Sequence, residues 1–246
     1  MLRAYEKTLF RWFNSELGRE IWRTEKHWLV KHLPLITGNV ALQWGGTPDW
    51  LDVSPIKKRF ILYQDDTLFS PEESIQIDYR ILPLMPNSID CILISHMLEG
   101  LDQPWIFLQE AYQALAPDGK LILFHFNPYS FWIFKRLSSK IMGDATSLML
   151  PIEHHSMGQM KRWLHSCGYR IIISESLFFR PLINQLTTPP RFLWMEAVGS
   201  FLFPGLGAVS VILAEKSIEG MTPLRAWECL KKVNLYRSYS KAIVPN

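Results

Sequence analysis

Apolar residues near the N-terminus recur with helical spacing. Between residues 4 and 33 they stand three and four positions apart, with Arg, Lys and Glu between them. The pattern predicts one or two amphipathic helices that end at Pro34, because proline cannot continue a helix. We expect the tryptophans of this stretch to hold the helices on a core as a cap. The apolar positions are Leu9, Trp12, Phe13, Leu17, Ile21, Trp22, Trp28, Leu29 and Leu33.

Short apolar runs and helical segments alternate after the predicted cap. The run at residues 90–95 is apolar almost throughout, which is typical of a parallel strand that is buried on both faces. Helices are predicted at 104–115 and 160–167, where apolar residues share one face. Seven predicted strands cover residues 39–44, 59–63, 75–77, 90–95, 120–124, 170–174 and 208–214.

This alternation indicates an α/β fold with a doubly wound, mostly parallel seven-stranded sheet. The predicted organisation has cap helices at 1–36, one domain at 37–214 and a tail at 215–246. An insert at 175–207, which contains four prolines, separates the last two predicted strands.

Composition narrows the classes of protein that the chain can belong to. With 246 residues, 48% hydrophobic and 20% charged, it is long and apolar enough for one folded domain. A net charge of +3 gives no basic surface for nucleic acid. Three scattered cysteines and the lone pair His154-His155 lack the spacing of a disulfide framework or a metal site. The charged N-terminus cannot form a signal peptide, so we expect a cytoplasmic protein.

One uncharged stretch, residues 197–214, approaches the length of a membrane span. Gly199, Pro204, Gly205 and Gly207 interrupt it, and its last part is rich in β-branched residues and ends on charge. We therefore interpret that last part as a buried strand. Peripheral contact of the aromatic residues in this region with a membrane surface stays open.

The segment from Asp78 to Pro128 carries a recognisable pattern. An acidic residue, an L-P-L triplet, an N-S-I-D turn, a buried strand, a helix with Gln-Glu and a P-x-G-x-L turn follow one another. The segment resembles type-11 class I methyltransferases, and residues 126–132 resemble a bacterial branch of them. The resemblance implies a Rossmann-like sheet and S-adenosylmethionine (SAM) as cofactor, with S-adenosylhomocysteine as product and no metal. The matching positions are Asp78, Leu82, Pro83, Leu84, Asn87, Ser88, Ile89, Asp90, Gln109, Glu110, Leu115, Pro117, Gly119 and Leu121.

In that family a glycine-rich turn after the first strand and acidic residues after the next two strands hold the cofactor. Here the turn is degenerate, because Thr47 and Asp49 stand at the second and third glycine positions and Gln43 replaces the usual acid. Glutamine can hydrogen-bond, but it supplies no charge for the ammonium group of the cofactor. Gln64 competes with Asp65 for the ribose-binding position. The cofactor site that the resemblance implies consists of Gln43, Gly45, Gly46, Asp65, Asp78 and Ser95.

Other polar residues near the predicted strand ends have two interpretations each. His96 is a candidate general base, because imidazole titrates near neutral pH, or it satisfies a local hydrogen bond. Asn127 and Tyr129 are candidate substrate contacts, or parts of a turn that Asn-Pro sets. Asp78 meets adenine or is an exposed loop carboxylate. We expect Glu99 to be solvated.

Two hypotheses for function remain open from the sequence. The first is a SAM-dependent methyltransferase that acts on an unidentified acceptor, which the apolar insert suggests is small and apolar or lipid-like. The second is a catalytically inactive module of the same fold that binds a protein or a membrane surface, because the first glycine motif is damaged. A nicotinamide-dependent oxidoreductase is disfavoured, since the glycine pattern fails for it as well and no Ser/Tyr/Lys set follows.

Overall fold

A seven-stranded sheet lies at the centre of the described part of the chain. The structure, a computed structural model, describes residues 2–45, 48–63, 74–78, 82–130, 155–179, 199 and 205–217. In these residues seven strands pair in the order β3-β2-β1-β4-β5-β7-β6, which confirms the predicted fold class. The strands are β1 (Val40–Trp44), β2 (Lys58–Tyr63), β3 (Ser74–Gln76), β4 (Ile89–Ser95), β5 (Leu115–Phe126), β6 (Tyr169–Leu177) and β7 (Val209–Lys216).

The strand order reverses direction between β1 and β4. β1 pairs in parallel with β2 on one side and with β4 on the other. The carboxyl ends of β1 and β4 therefore lie side by side at the switch point, where open α/β sheets bind their ligands. β7 pairs antiparallel with both β5 and β6, so the last of the described strands inserts between two earlier ones.

Helices α3 (Pro104–Ala114) and α4 (Met157–Cys167) cover one face of the sheet. The Trp44 ring lies 4.1 Å from the Phe107 ring of α3, and the Tyr169 hydroxyl donates to the carbonyl of Leu108. Gly168 ends α4 with a φ of +98°, a conformation that glycine adopts without strain.

Helices α1 (Leu2–Phe13) and α2 (Glu16–His32) cover the opposite face, as the amphipathic pattern predicts. The Ser15 hydroxyl caps α2 by accepting a hydrogen bond from the amide of Gly18. The ring of Trp28 packs edge-on against Phe124 at 5.8 Å, and its indole N–H donates to Glu175 at 3.0 Å. One tryptophan of the cap therefore joins α2 to two strands.

Strands β5, β6 and β7 are longer than the sequence pattern predicts. β6 reaches Leu177 and β7 reaches Lys216, because the two strands pair over their whole length. The first residues of the predicted insert at 175–207 and of the predicted tail therefore belong to the sheet. Residues 180–198, 200–204 and 218–246 lie outside the described part of the chain.

Residues 209–214 of the uncharged stretch are part of β7, which agrees with their interpretation as a buried strand. Within the described ranges, no helix combines the length and the apolar character that a membrane crossing requires.

Candidate functional site

The turn after β1 contacts the end of β4 across the switch point. Gly45 has a φ of +78°, and a Cβ atom there would lie 2.3 Å from the Ser95 carbonyl oxygen and 2.4 Å from Cγ of Met97. The positive φ and the lack of room for a Cβ atom therefore both require glycine at this position. The buried side chain of Gln43 donates from Nε2 to the Gly45 carbonyl at 3.0 Å and supports the turn.

The segment that follows this turn is anchored by Trp50. This residue lies in a short 3-10 helix, Pro48–Val53, and its side chain is fully buried. Its ring packs edge-on against Phe13 of α1 at 5.9 Å and against Phe124 of β5 at 5.5 Å. Gly46 lies outside the described residues, so its predicted role in cofactor binding stays a prediction.

Two further polar residues of the predicted cofactor site lie at the carboxyl ends of β4 and β3, which β1 and β2 separate in the sheet. Ser95 is fully buried at the end of β4, and its hydroxyl has no hydrogen-bond partner in the described part of the chain. Asp78 follows β3 and is exposed to solvent. Asp65 and its competitor Gln64 lie outside the described residues.

His96, directly after β4, is held between two carboxylates. Its Nε2 lies 2.7 Å from Oε1 of Glu25 on α2, and its Nδ1 lies 3.4 Å from Oε1 of Glu99. The imidazole stacks on the ring of Phe126 with centroids 3.9 Å apart. Glu99 also accepts a hydrogen bond from the Phe126 amide at 2.7 Å. The side chains of His96, Glu25 and Glu99 form what we call the buried charge cluster.

Opposing effects set the protonation of this cluster. Burial disfavours a charged imidazole, but the adjacent carboxylates, Glu25 above all, raise the pKa of His96 to about 9. Burial opposes ionisation of Glu99 as well, yet its hydrogen bonds and His96 lower its pKa below the ordinary value. For Glu25 burial prevails over His96 and raises the pKa. Burial lowers the pKa of nearby His125 to about 4, so that histidine is neutral at pH 7.

Comparison with known proteins bears on the identity of this fold. Residues 57–123 match the family model described as a methyltransferase domain, type 11. A SAM-dependent methyltransferase from Thermotoga maritima superposes with a TM-score of 0.60 at 20% identity, covering 84% of this chain and 93% of that one. Another from Aquifex aeolicus gives a TM-score of 0.52 at 13% identity, covering 88% and 98%.

Residues 57–123 are thus similar to a methyltransferase domain of type 11, and the sheet has the fold of class I methyltransferases.

Curated relatives of the chain are distant. UbiE of Escherichia fergusonii, a ubiquinone/menaquinone biosynthesis C-methyltransferase, is 27% identical over 116 residues, or 41% of this chain and 46% of that protein. YafS of Escherichia coli K12, an uncharacterised protein, is 25% identical over 147 residues, or 58% and 54%. The chain thus spans about half the length of the curated relatives it matches.

The residues at the switch point of the domain fit a SAM-type cofactor in three respects. Gly45 has the positive φ of a close-approach turn, Ser95 has a buried hydroxyl without a protein partner among the described residues, and Asp78 is an exposed carboxylate. Position 43 does not fit the cofactor, because the uncharged Gln43 stands where the family has an acidic residue and supplies no charge for the ammonium group. In the described ranges, no three His, Cys, Asp or Glu residues are grouped to hold a metal ion, and the metal-free site stays a prediction.

The expectation that Glu99 is solvated is wrong. Its side chain is 1% exposed, because the Phe126 amide and His96 both bind its carboxylate inside the domain. Sequence reasoning also missed Glu25. A signal for it exists, since Glu25 stands four residues after Ile21 and three before Trp28, on the buried face of α2.

Asn127 links the end of β5 to the segment before β7. Its Nδ2 donates to the carbonyls of Gly205 at 2.7 Å and Gly207 at 2.8 Å, and its Oδ1 accepts from the amide of Tyr129. These bonds agree with the interpretation of Asn127 as a turn residue. The Tyr129 side chain is 68% exposed, and its contact with a substrate stays a prediction, as does general-base catalysis by His96.

Proposed function

We propose that this chain is a SAM-dependent methyltransferase whose cofactor binds at the switch point between β1 and β4. The observation that carries the proposal is the contact between the Gly45 turn and Ser95, at the point where doubly wound sheets bind ligands. The match of residues 57–123 to a methyltransferase domain supports the same activity.

The roles of the residues follow from their positions. The positive φ of Gly45 lets the backbone turn tightly at the end of β1, and Gln43 keeps that turn in place. The Ser95 hydroxyl and the Asp78 carboxylate offer hydrogen bonds to polar parts of the cofactor. SAM, when bound, supplies a methyl group on a sulfonium, and the chain then has to align the acceptor with it.

An apolar acceptor is the substrate class that we favour. The rings of Trp12, Phe13 and Phe126 contact one another or His96 beside the end of β4. Such an aromatic environment favours a small apolar or lipid-like molecule. The name of the UbiE relative, a C-methyltransferase of ubiquinone and menaquinone biosynthesis, agrees with this class.

Isothermal titration of the full chain with S-adenosylhomocysteine tests the activity. We expect one binding site and a melting temperature that rises with ligand concentration. Asp78→Asn should weaken binding, whereas Asp102→Asn, which alters an exposed carboxylate after β4, should leave it unchanged. Absence of binding at millimolar ligand would contradict the proposal and favour the catalytically inactive binding module.

A further inference from the structure

Burying the three side chains of the buried charge cluster away from water is unfavourable for the free energy of folding. The side chains of Glu25, His96 and Glu99 are at most 1% exposed. Removing ionised groups from water is unfavourable, and pairing with an opposite charge repays the cost only where the geometry is good and further hydrogen bonds are made. A site that retains such groups beside a ligand-binding edge is a candidate functional site.

The charges of the cluster balance only when one of its two carboxyl groups is protonated. Two carboxylates face one imidazolium, and neutral His125 adds no positive charge. Tyr5 of α1, which also touches the cluster, donates its hydroxyl to the His96 carbonyl and is uncharged. With both carboxylates ionised, the cluster therefore has an excess of one negative charge.

The cluster also has unused hydrogen-bond acceptors. Oε2 of Glu25 and Oε2 of Glu99 are buried and have no partner among the described residues. Glu99 already accepts from the Phe126 amide and binds His96, whereas Glu25 binds His96 alone. Glu25 is thus the carboxylate with fewer donors, and an added hydrogen-bond donor or cation beside its Oε2 would stabilise its ionised form.

The cluster lies beside the Gly45 turn and on the same face as Gln43. His96 follows Ser95 directly, and the Ser95 carbonyl abuts Gly45. Gln43 pairs in register with Leu93, two residues before Ser95, so the side chains of Gln43 and Ser95 project from one face of the sheet. Phe124, the partner of Ser95, shows that this is the face that α2 covers.

We propose that Glu25 supplies, from α2, the negative charge that position 43 lacks, and that it binds the α-ammonium group of the SAM-type cofactor. This inference rests on the proposed function. An ammonium group beside Glu25 would offset the excess charge of the cluster and give Oε2 a donor. His96 and Glu99 hold Glu25 in position for this contact.

A ligand series on the wild-type chain tests the inference without any mutation. Isothermal titration compares three ligands: S-adenosylhomocysteine, its decarboxylated analogue, which keeps the ammonium group, and 5′-methylthioadenosine, which has no amino-acid part. The first two should bind about 10- to 100-fold more tightly than the third, the range for one hydrogen bond to a charged group. Equal affinities for the three ligands would overturn the inference.

Two variants then identify the carboxylate. Glu25→Gln should weaken S-adenosylhomocysteine about 10-fold or more and change 5′-methylthioadenosine less than about twofold. Gln43→Asp in the Glu25→Gln background should restore much of the loss. Glu175→Gln is the matched control, because Glu175 holds the same helix through Trp28 but lies outside the cluster; it should leave all three affinities unchanged.

The possible failures are distinguishable. If wild-type chain does not bind S-adenosylhomocysteine, the proposed function fails. If it binds and Glu25→Gln binds equally well, only the role of Glu25 is refuted. Equal losses for S-adenosylhomocysteine and 5′-methylthioadenosine, or a similar loss in Glu175→Gln, would mean that Glu25 merely positions α2. If Glu25→Gln does not fold, equal affinities of the wild-type chain for the three ligands still overturn the inference.

Discussion

Gly45 combines two requirements at one residue of the candidate site. Its positive φ is costly for any residue with a side chain, and the space beside its Cα is filled by the Ser95 carbonyl and by Met97. The chain turns tightly here and brings the ends of β1 and β4 together. Gly45, which matches the first glycine of the family turn, is therefore required by the fold itself.

Gly45→Ala should lower the free energy of unfolding by about 2–4 kcal/mol, the sum expected for backbone strain and overpacking. Gly158→Ala is the matched control, since only the Ser156 hydroxyl, 3.9 Å away, lies near the added Cβ. That variant should differ from wild type by less than about 1 kcal/mol. Urea denaturation measures both values, and equal effects would contradict the steric argument.

At the scale of elements, α2 does more than cover the sheet. It carries Glu25 into the buried charge cluster and Trp28 to the carboxylate of Glu175. Its start is fixed by Ser15, whose hydroxyl accepts from the Gly18 amide and donates to the Trp12 carbonyl. The helix cap thus contributes to the placement of a charged group in the site.

Ser15→Ala should lower the free energy of unfolding by about 1 kcal/mol, the usual effect of losing an N-cap. Thr8→Ala on α1 is the control, because its hydroxyl bond to the Ala4 carbonyl is exposed and caps no helix end. Chemical denaturation of the two variants should place Thr8→Ala within about 0.5 kcal/mol of wild type. A loss at Thr8 as large as at Ser15 would argue against the capping role.

For the whole molecule, two buried histidines with opposite pKa shifts make stability depend on pH. The pKa of His96 is raised from 6.5 to about 9, so its stabilisation is complete below pH 6.5 and is lost as the pH rises through 9. The pKa of His125 is lowered from 6.5 to about 4, so unfolded chains take up a proton first as the pH falls below 6.5. The contributions of these two histidines are together greatest near pH 6.5.

His96→Gln should flatten the alkaline decline between pH 6.5 and 8.5, a range below the titration of most Tyr, Lys and Cys groups. The same variant should be less stable than wild type by about 3 kcal/mol at pH 6.5, because it leaves buried carboxylates without a cation. His165→Gln, outside the cluster, is the control. An unchanged alkaline slope in His96→Gln would show that another group governs the decline.

Much of this fold follows from local patterns in the sequence. The periodicities of apolar residues predict the cap helices, the buried β4 and the α/β alternation, because each depends on neighbours within one element. The Asp78–Pro128 pattern predicts the methyltransferase fold. Gly45 is also predictable, since its backbone conformation is a local property. The lengths of β6 and β7 cannot be predicted from local sequence, because each strand extends as far as its partner offers hydrogen bonds.

The tertiary structure decides which ionisable side chains meet at the site. His96 and Glu25 are 71 positions apart in the chain, and only the packing of α2 on the sheet brings them within 2.7 Å. The sequence around Glu99 predicts a surface residue in a short loop, whereas in the structure its carboxylate accepts a hydrogen bond from the Phe126 amide. Local sequence therefore determined the strands, the helices and the glycine turn. Burial of ionisable groups, and with it their pKa values, was decided only by the tertiary structure, because desolvation and ion pairing depend on residues distant in sequence.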